Sequence, residues 1–164
     1  MSQPQMRKPI ECGVPDHMQY LHPTLRKNYG NWKYHDRPRP GVLHHVSQSG
    51  DQVWSVRAGT QRQMDVYTIR KLCDIADKFA EGHVRFTIRS NMEIMVGDEK
   101  KVAPLIAELE KSGFPVGGTG NSVSMIAHTQ GWLHCDIPGT DASGVVKALM
   151  DELVDEFRRE EMPN

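Results

Sequence analysis

Residues 84–96 of the chain read VRFTIRSNMEIMV, and their alternation of apolar and polar side chains predicts a β-hairpin. Side chains in a strand point alternately to the two faces of a sheet. One face therefore carries Val84, Phe86 and Ile88, and the other carries Arg85, Thr87 and Arg89. We expect two strands, over residues 83–89 and 92–96, joined by a tight turn at Ser90-Asn91.

The segments on either side of this hairpin predict a strand and two helices. Residues 52–57 (QVWSVR) have the composition of a strand. Asp65 can cap a helix that runs to residue 80, because its side chain accepts hydrogen bonds from the first turn. We expect this helix to bury an apolar stripe of Val66, Ile69, Cys73, Ala76 and Ala80. A second helix over about residues 99–112 ends at Gly113, and residues 114–116 return as a strand. Pro104 conflicts with a start at Glu99, so the alternative is a start nearer Ala103.

The predicted order of strand, helix, strand, strand, helix and strand is that of the ferredoxin-like split βαβ plait. We therefore expect an α+β fold with a ferredoxin-like half-domain over residues 49–116. Residues 117–164 then begin a second α+β domain, with a glycine-rich loop and a possible strand over residues 132–137. A last helix begins at Thr140 or Asp141. The apolar side of this helix carries Val146, Leu149, Leu153 and Phe157.

The first 48 residues differ from the rest in charge and composition. Residues 1–50 hold seven Lys and Arg side chains against three acidic ones, and proline, histidine and aromatic residues are frequent. Helical and strand periodicity are absent there, and aromatic side chains favour burial. We expect residues 1–48 to form an extended N-terminal arm, packed either against another subunit or against its own domain.

The composition of the whole chain argues against several functional classes. The 164 residues carry a formal net charge of −1, so a general nucleic-acid binder that depends on phosphate attraction is not expected. No apolar run is long enough to span a membrane, and the first residues lack the apolar core of a signal peptide. We expect a cytoplasmic chain without membrane insertion.

Three cysteines, Cys12, Cys73 and Cys135, are spread along the chain without a C-x-x-C pair. An odd number at these spacings argues against a disulfide framework, a zinc ribbon or a self-contained iron–sulfur site. The segment 128–135 (HTQGWLHC) contains histidines and a cysteine, but its spacing matches no common zinc site. There we expect Trp132 to pack with partly buried histidines, and we assign no metal ligands.

The polar face of the hairpin is the first candidate binding site. Arg85, Thr87 and Arg89 lie on it, and Arg57 in the preceding strand can join the same surface. Forked cations on a rigid sheet suit an anion with several carboxylates or oxyanions. The alternative is a solvated sheet face whose arginines form salt bridges with Glu93 or Asp51.

The second candidate is the glycine-rich loop after the predicted last strand of the plait. Gly117, Gly118 and Gly120 permit a ligand to approach the backbone closely. The spacing of these glycines fits neither a dinucleotide fingerprint nor a phosphate loop. An ordinary interdomain turn is an equally good interpretation.

Eight segments, spread over nearly the whole chain, together resemble the beta subunit of dissimilatory sulfite reductase. This enzyme belongs to the family of sirohaem sulfite and nitrite reductases. They are residues 27–30 (KNYG), 41–43 (GVL), 56–59 (VRAG), 69–76 (IRKLCDIA), 85–91 (RFTIRSN), 114–120 (FPVGGTG), 128–135 (HTQGWLHC) and 140–147 (TDASGVVK). The wording of residues 113–150 is most similar to subunits from sulfur oxidisers, which run the enzyme in the oxidative direction.

This resemblance implies an oxidoreductase of alpha and beta subunits, a heterotetramer, that contains sirohaem and a [4Fe–4S] cluster. Such an enzyme interconverts sulfite and sulfide by six-electron chemistry and hands sulfur to a small carrier protein. It also implies cofactor-binding residues on this chain, with the R-x-T-x-R strand facing the macrocycle. They are Arg57, Arg85, Thr87, Arg89, Asn91, Gly117, Gly118, Thr119, Gly120 and Asn121.

Two departures from the family pattern limit what is expected of this chain. Assimilatory relatives place an anion-binding arginine after a comparable loop, where this chain has Asn121 or Ser122. The family's cluster-binding cysteines lie downstream, so residues 117–164 are expected to be a domain truncated before them. The chain alone is then inactive and holds neither cofactor stably. The alternative is a non-catalytic ferredoxin-like module that binds a small anion or a partner protein.

Overall fold

The quoted hairpin forms one edge of a five-stranded antiparallel sheet. The computed structural model describes residues 17–159. Its strands are β1 (Trp32–Arg39), β2 (Val42–Ser47), β3 (Gln52–Gly59), β4 (Arg85–Phe86) and β5 (Asn91–Val96). Its α-helices are α1 (Pro23–Lys27), α2 (Val66–Ala80), α3 (Val102–Lys111), α4 (Ala142–Glu152) and α5 (Val154–Arg158). Single 3-10 turns occur at His17–Tyr20, Glu99–Lys101 and Gly131–Leu133.

The predicted plait is confirmed, although its last strand is very short. The strand order is β1-β2-β3-β5-β4, and helices α2 and α3 follow β3 and β5 as expected. The predicted strand over residues 114–116 is reduced to one antiparallel bridge between Val116 and Ala58. The β2 strand pairs with β3 as far as Val56, so only the last residues of β3 remain for this bridge.

The buried stripe of α2 differs from the predicted one. Asp65 caps the helix as expected, since its carboxylate accepts a hydrogen bond from the Thr68 N–H. The buried side chains are Leu72, Ile75, Ala76, Phe79 and Ala80, so Ala76 and Ala80 are confirmed, whereas Val66, Ile69 and Cys73 are exposed. The predicted and the observed residues are both spaced as on one side of a helix. The helix buries the side with Leu72, Ile75 and Phe79, because larger apolar side chains gain more free energy from burial.

The hairpin turn is longer than predicted and β4 is correspondingly shorter. Only Arg85–Phe86 are in strand conformation, and the Thr87 N–H donates to the Asn91 carbonyl across the turn. Ser90 takes a positive φ of 56°, the left-handed conformation typical at the end of a three-residue hairpin loop. The turn therefore begins at Ile88 rather than at Ser90, and the expected strand conformation of residues 83, 84 and 87–89 is wrong.

The predicted arm is largely folded within the described residues. β1 and β2 form a hairpin that extends the sheet, so the sheet begins at Trp32 rather than at residue 49. The short helix α1 and the 3-10 turn before it lie on the sheet face opposite α2 and α3. The first 16 residues of the arm lie outside the described range.

The C-terminal segment contains no strand between residues 117 and 159. The predicted strand over residues 132–137 is wrong, because that stretch is a 3-10 turn followed by exposed, irregular backbone that no neighbouring strand pairs with. Asp141 caps α4 through the Gly144 N–H. On the apolar side of α4 and α5, only Phe157 is buried, and Leu149 is exposed. No helix among residues 17–159 is long and apolar enough to cross a membrane.

The corrected stripe of α2 can be tested with two isoleucines on the same helix. We expect Ile75→Ala to lower the free energy of unfolding by about 2–5 kcal/mol, because Ile75 is 4% exposed and its loss leaves a cavity. Ile69→Ala serves as the matched control, with an expected loss within about 0.5 kcal/mol, because Ile69 is 43% exposed. Denaturant unfolding of both variants measures the difference, and equal losses would contradict this packing.

The docking of α1 on the sheet is predicted to weaken in acid. Burial lowers the pKa of the His22 ring below its usual value of 6.5, and the ring accepts a hydrogen bond from the Thr24 N–H. The folded state thus favours neutral His22, so the free energy of unfolding falls as the pH drops below 6.5, the usual pKa of a histidine. His22→Gln should flatten this slope. The same change at exposed His17 is the control, and identical slopes for both variants would reject the assignment.

Candidate functional site

The candidate site is centred on a buried carboxylate, Glu93, in the middle of β5. Its side chain lies on the sheet face opposite α2 and α3, and it is 1% exposed. Arg57 Nε and Nη2 donate to its Oε1 at 2.8 and 2.6 Å, and Arg85 Nη1 donates to its Oε2 at 2.9 Å. Burial of an isolated carboxylate is costly, and two guanidinium groups satisfy both of its oxygens here.

Arg57 also connects the sheet to the glycine-rich loop. Its Nη1 donates to the Gly118 carbonyl at 2.7 Å, so all three of its nitrogens have partners. The Gly118 N–H in turn donates to the Phe157 carbonyl at 2.8 Å. The Gly41 N–H donates to the Thr119 hydroxyl at 2.7 Å. The loop is therefore held from three sides by the protein itself.

The first glycines of this loop make close contact with α5. A Cβ at Gly117 would overlap the Phe157 carbonyl group, and one at Gly118 would lie 2.7 Å from the Phe157 ring. Gly117, Gly118 and Thr119 are buried, whereas Gly120 and Asn121 are exposed. Contact with the protein accounts for the first two glycines, and only the end of the loop is open to a ligand.

Thr87 and Asn91 close the hairpin turn. The Thr87 hydroxyl accepts from the backbone N–H groups of Asn91 and Arg89 at 3.2 and 3.4 Å. The Asn91 side chain donates from Nδ2 to the Ser124 hydroxyl at 2.9 Å, and its buried Oδ1 has no hydrogen-bond partner. Ser124 was not expected in the site. It follows the glycine-rich loop in the sequence, and no motif marks it.

Arg89 extends from the tip of the hairpin next to a shallow groove of mixed polar and apolar lining. The Ile88 side chain beside it is 95% exposed, and Phe86 is also exposed. The groove, with a volume of about 460 Å³, is lined by Ile88, Arg89 and residues 124–127. The Arg89 guanidinium makes no hydrogen bond or ion pair with residues 17–159, so it is available to an anion.

The predicted residues thus separate into two groups, and part of the alternative interpretation is correct. Arg57 and Arg85 form salt bridges with Glu93, while Asp51 pairs with Lys27 instead, at 2.7 Å. Hydrogen bonds from Asn28 and Lys27 lower the pKa of Asp51 to about 2. The central role of Glu93 was missed, although a lone acidic residue within the apolar run of β5 is a signal that could have found it.

The histidine-rich segment does not form the expected packed cluster. Trp132, His134 and Cys135 are all exposed. Across residues 17–159, no three His, Cys, Asp or Glu side chains are grouped as metal ligands.

Comparison of the sequence with known proteins shows the family of the chain. Residues 45–112 match the nitrite/sulfite reductase ferredoxin-like half domain. The "Sulfite reductase, dissimilatory-type subunit beta" of Archaeoglobus fulgidus is 50% identical over 160 residues, which cover 93% of this chain and 44% of that protein. The chain belongs to the same family as these beta subunits.

Two further beta subunits of the family extend this similarity. The one from Nitratidesulfovibrio vulgaris is 46% identical over 167 residues, covering 98% of this chain and 44% of that protein. The one from Megalodesulfovibrio gigas is 46% identical over 168 residues, covering 95% and 64% respectively. The chain therefore spans less than half the length of the first two beta subunits.

A solved structure supports the fold of the family. The crystal structure of dissimilatory sulfite reductase I superposes with a TM-score of 0.70 over 90% of this chain and 38% of the matched chain. Sequence identity is 14%, so this likeness supports the fold alone.

The contact between the glycine-rich loop and α5 can be tested directly. We expect Gly117→Ala to lower the free energy of unfolding by about 1–3 kcal/mol, because the new methyl group meets the Phe157 backbone. Gly139→Ala is the control, since that Cβ would meet no atom within 4 Å and the expected change is within about 0.5 kcal/mol. Equal stability of both variants in denaturant titrations would show that the loop does not pack this way.

Proposed function

We propose that this chain supplies the N-terminal part of a dissimilatory-type sulfite reductase beta subunit and helps to bind sirohaem. The observation that carries the proposal is the 46–50% identity to three such subunits over nearly the whole chain. The open tip of the hairpin supports the proposal chemically, because the Arg89 guanidinium there lies beside the exposed Ile88 side chain.

The exposed end of the hairpin fits the chemistry of sirohaem. This cofactor is an apolar macrocycle that bears several carboxylates, so it needs apolar contact area together with cations. Ile88 offers apolar surface beside the Arg89 guanidinium, and Arg85 on the polar face offers the nitrogens that do not bind Glu93. When bound, sirohaem would carry electrons between a [4Fe–4S] cluster and the sulfur substrate.

The residues predicted to bind the cofactor take different parts in this proposal. Arg89 and Arg85 would bind carboxylates, and the exposed Gly120 and Asn121 would present backbone and side chain to the cofactor. Thr87 and Asn91 would keep the hairpin turn in shape. The half-buried Arg57 and the buried Gly117, Gly118 and Thr119 would support the surface from below. No residue is assigned to catalysis.

The complete enzyme would need more than this chain. Cys73 and Cys135 are both exposed and belong to no group of potential metal ligands within residues 17–159. Cluster and sirohaem iron would therefore be held by residues outside this range, and the chain alone would be inactive. We propose an alpha subunit as its partner in a cytoplasmic heterotetramer, with a small carrier protein receiving the sulfur.

One observation favours the alternative of a non-catalytic binding module. Arg57 and Arg85 share the charge of Glu93, so two of the three predicted cations are partly or wholly engaged inside the protein. Such a module would bind a small anion or a partner protein through the remaining surface. It would be colourless, because it needs no sirohaem.

The experiment is to isolate the native complex that contains this chain, record its visible spectrum and determine sirohaem after extraction. We expect bound sirohaem, and we expect Arg89→Gln to lower the sirohaem content several-fold by removing a free guanidinium. Arg70→Gln is the control, because Arg70 is an exposed arginine on α2 without a described partner, and it should leave the content unchanged. A colourless complex would reject the proposal, and equal content in both variants would reject the role of Arg89.

A further inference from the structure

The ion pairs around Glu93 span three adjacent strands. Arg57 on β3 and Arg85 on β4 are each the direct cross-strand partner of Glu93 on β5. Because directly paired residues point to the same face, the three side chains form one row across the sheet. Glu93 lies in the centre of this row, and we call these three residues the ion triad.

The two arginines of the ion triad differ in what they do with their remaining donors. The Arg57 side chain is 24% exposed, and its third nitrogen donates to the Gly118 carbonyl. The Arg85 side chain is 63% exposed, and one nitrogen donates to Glu93. The other Arg85 nitrogens make no hydrogen bond with residues 17–159, so Glu93 fixes one end of a group whose other end is free.

Stability alone is a weak reason to place a charge at the position of Glu93. Buried ion pairs and triads can often be replaced by apolar side chains without loss of stability, because removing charges from water is costly. Their best-supported benefit is a defined geometry. Here that geometry joins the hairpin, which carries Arg85, to the loop, which carries Gly118.

We propose that Glu93 is a positioning residue that orients Arg85 towards a carboxylate of sirohaem and, through Arg57, fixes the glycine-rich loop beside it. This inference rests on the proposed function and adds a residue that makes no contact with the cofactor itself. Without the Glu93 carboxylate, Arg85 loses the partner that selects its orientation, and Arg57 loses two of its three hydrogen bonds.

The test is a double-mutant cycle in the native complex, with E93Q, R85Q and the variant that carries both. The readouts are sirohaem content per assembled complex and the position of the visible absorption band of sirohaem. We expect each single variant to lose sirohaem several-fold and the band to shift. The double variant should lose less than the two single losses combined, because either change disables Arg85 and only the loop contact through Arg57 adds to it. Glu108→Gln is the control, since it removes an ion pair with Lys78 between the helices on the other face of the sheet.

A purely structural role of Glu93 would give a different pattern. Thermal unfolding would then shift in E93Q, while the assembled complex kept its full sirohaem content and an unchanged band, and this result would overturn the inference. Fully additive losses in the double variant would also overturn it. If E93Q does not assemble, R57K decides instead, because lysine keeps the charge but cannot hold both Glu93 and Gly118. Loss of sirohaem in R57K supports the inference, and full content overturns it.

The outcomes also separate this inference from the proposed function. A colourless native complex rejects both. A complex that contains sirohaem and loses it in R89Q, but keeps it in E93Q, rejects only the positioning role of Glu93.

Discussion

The buried carboxylate of Glu93 is the constraint on which the polar half of this molecule depends. A charge with 1% exposure in the centre of a sheet needs compensation from both sides, and the two neighbouring strands each provide one arginine. Arg57 also donates to the Gly118 carbonyl in the loop that follows the plait, and this loop packs against α5. Strand pairing, loop position and C-terminal helix are thus linked through one side chain.

The two faces of the sheet consequently follow different rules. The face towards α2 and α3 is a conventional apolar core, in which Met92, Ile94 and Leu105 are fully buried. The opposite face is closed by polar contacts, by α1 and by the loop around Gly118. Among residues 17–159, the tip of the β4–β5 hairpin lies beyond this cover, with Ile88 and Arg89 exposed, and so does most of the Arg85 side chain on β4. The surface offered to a ligand is therefore small and lies at the edge strand and its turn.

Periodicity predicted the order of elements but could not fix their tertiary details. The plait, the Asp65 cap and the approximate helix bounds follow from local signals, and the structure confirms them. Tertiary packing decides which side of α2 is buried and how long the hairpin loop is. The local sequence pattern therefore mispredicted the burial of Val66, Ile69 and Cys73 and the start of the turn. The strand predicted over residues 132–137 had suitable residues but no partner strand. For the site, alternation placed Arg57 and Arg85 on one face correctly, whereas the burial of Glu93 depends on segments far away in the sequence.

The central position of Glu93 also discriminates between alternative alignments of the strands. Side chains alternate strictly between the two faces of a sheet. A shift of β5 by one residue relative to β3 and β4 would therefore turn this carboxylate towards α2 and α3. It would then stand among Val56, Leu105 and other apolar side chains, without a cation to pair with. Misalignment of β5 therefore costs more free energy with Glu93 than it would with an apolar residue at this position. Glu93 thus favours the correct strand register during folding, although buried ion pairs often add little net stability to a native structure.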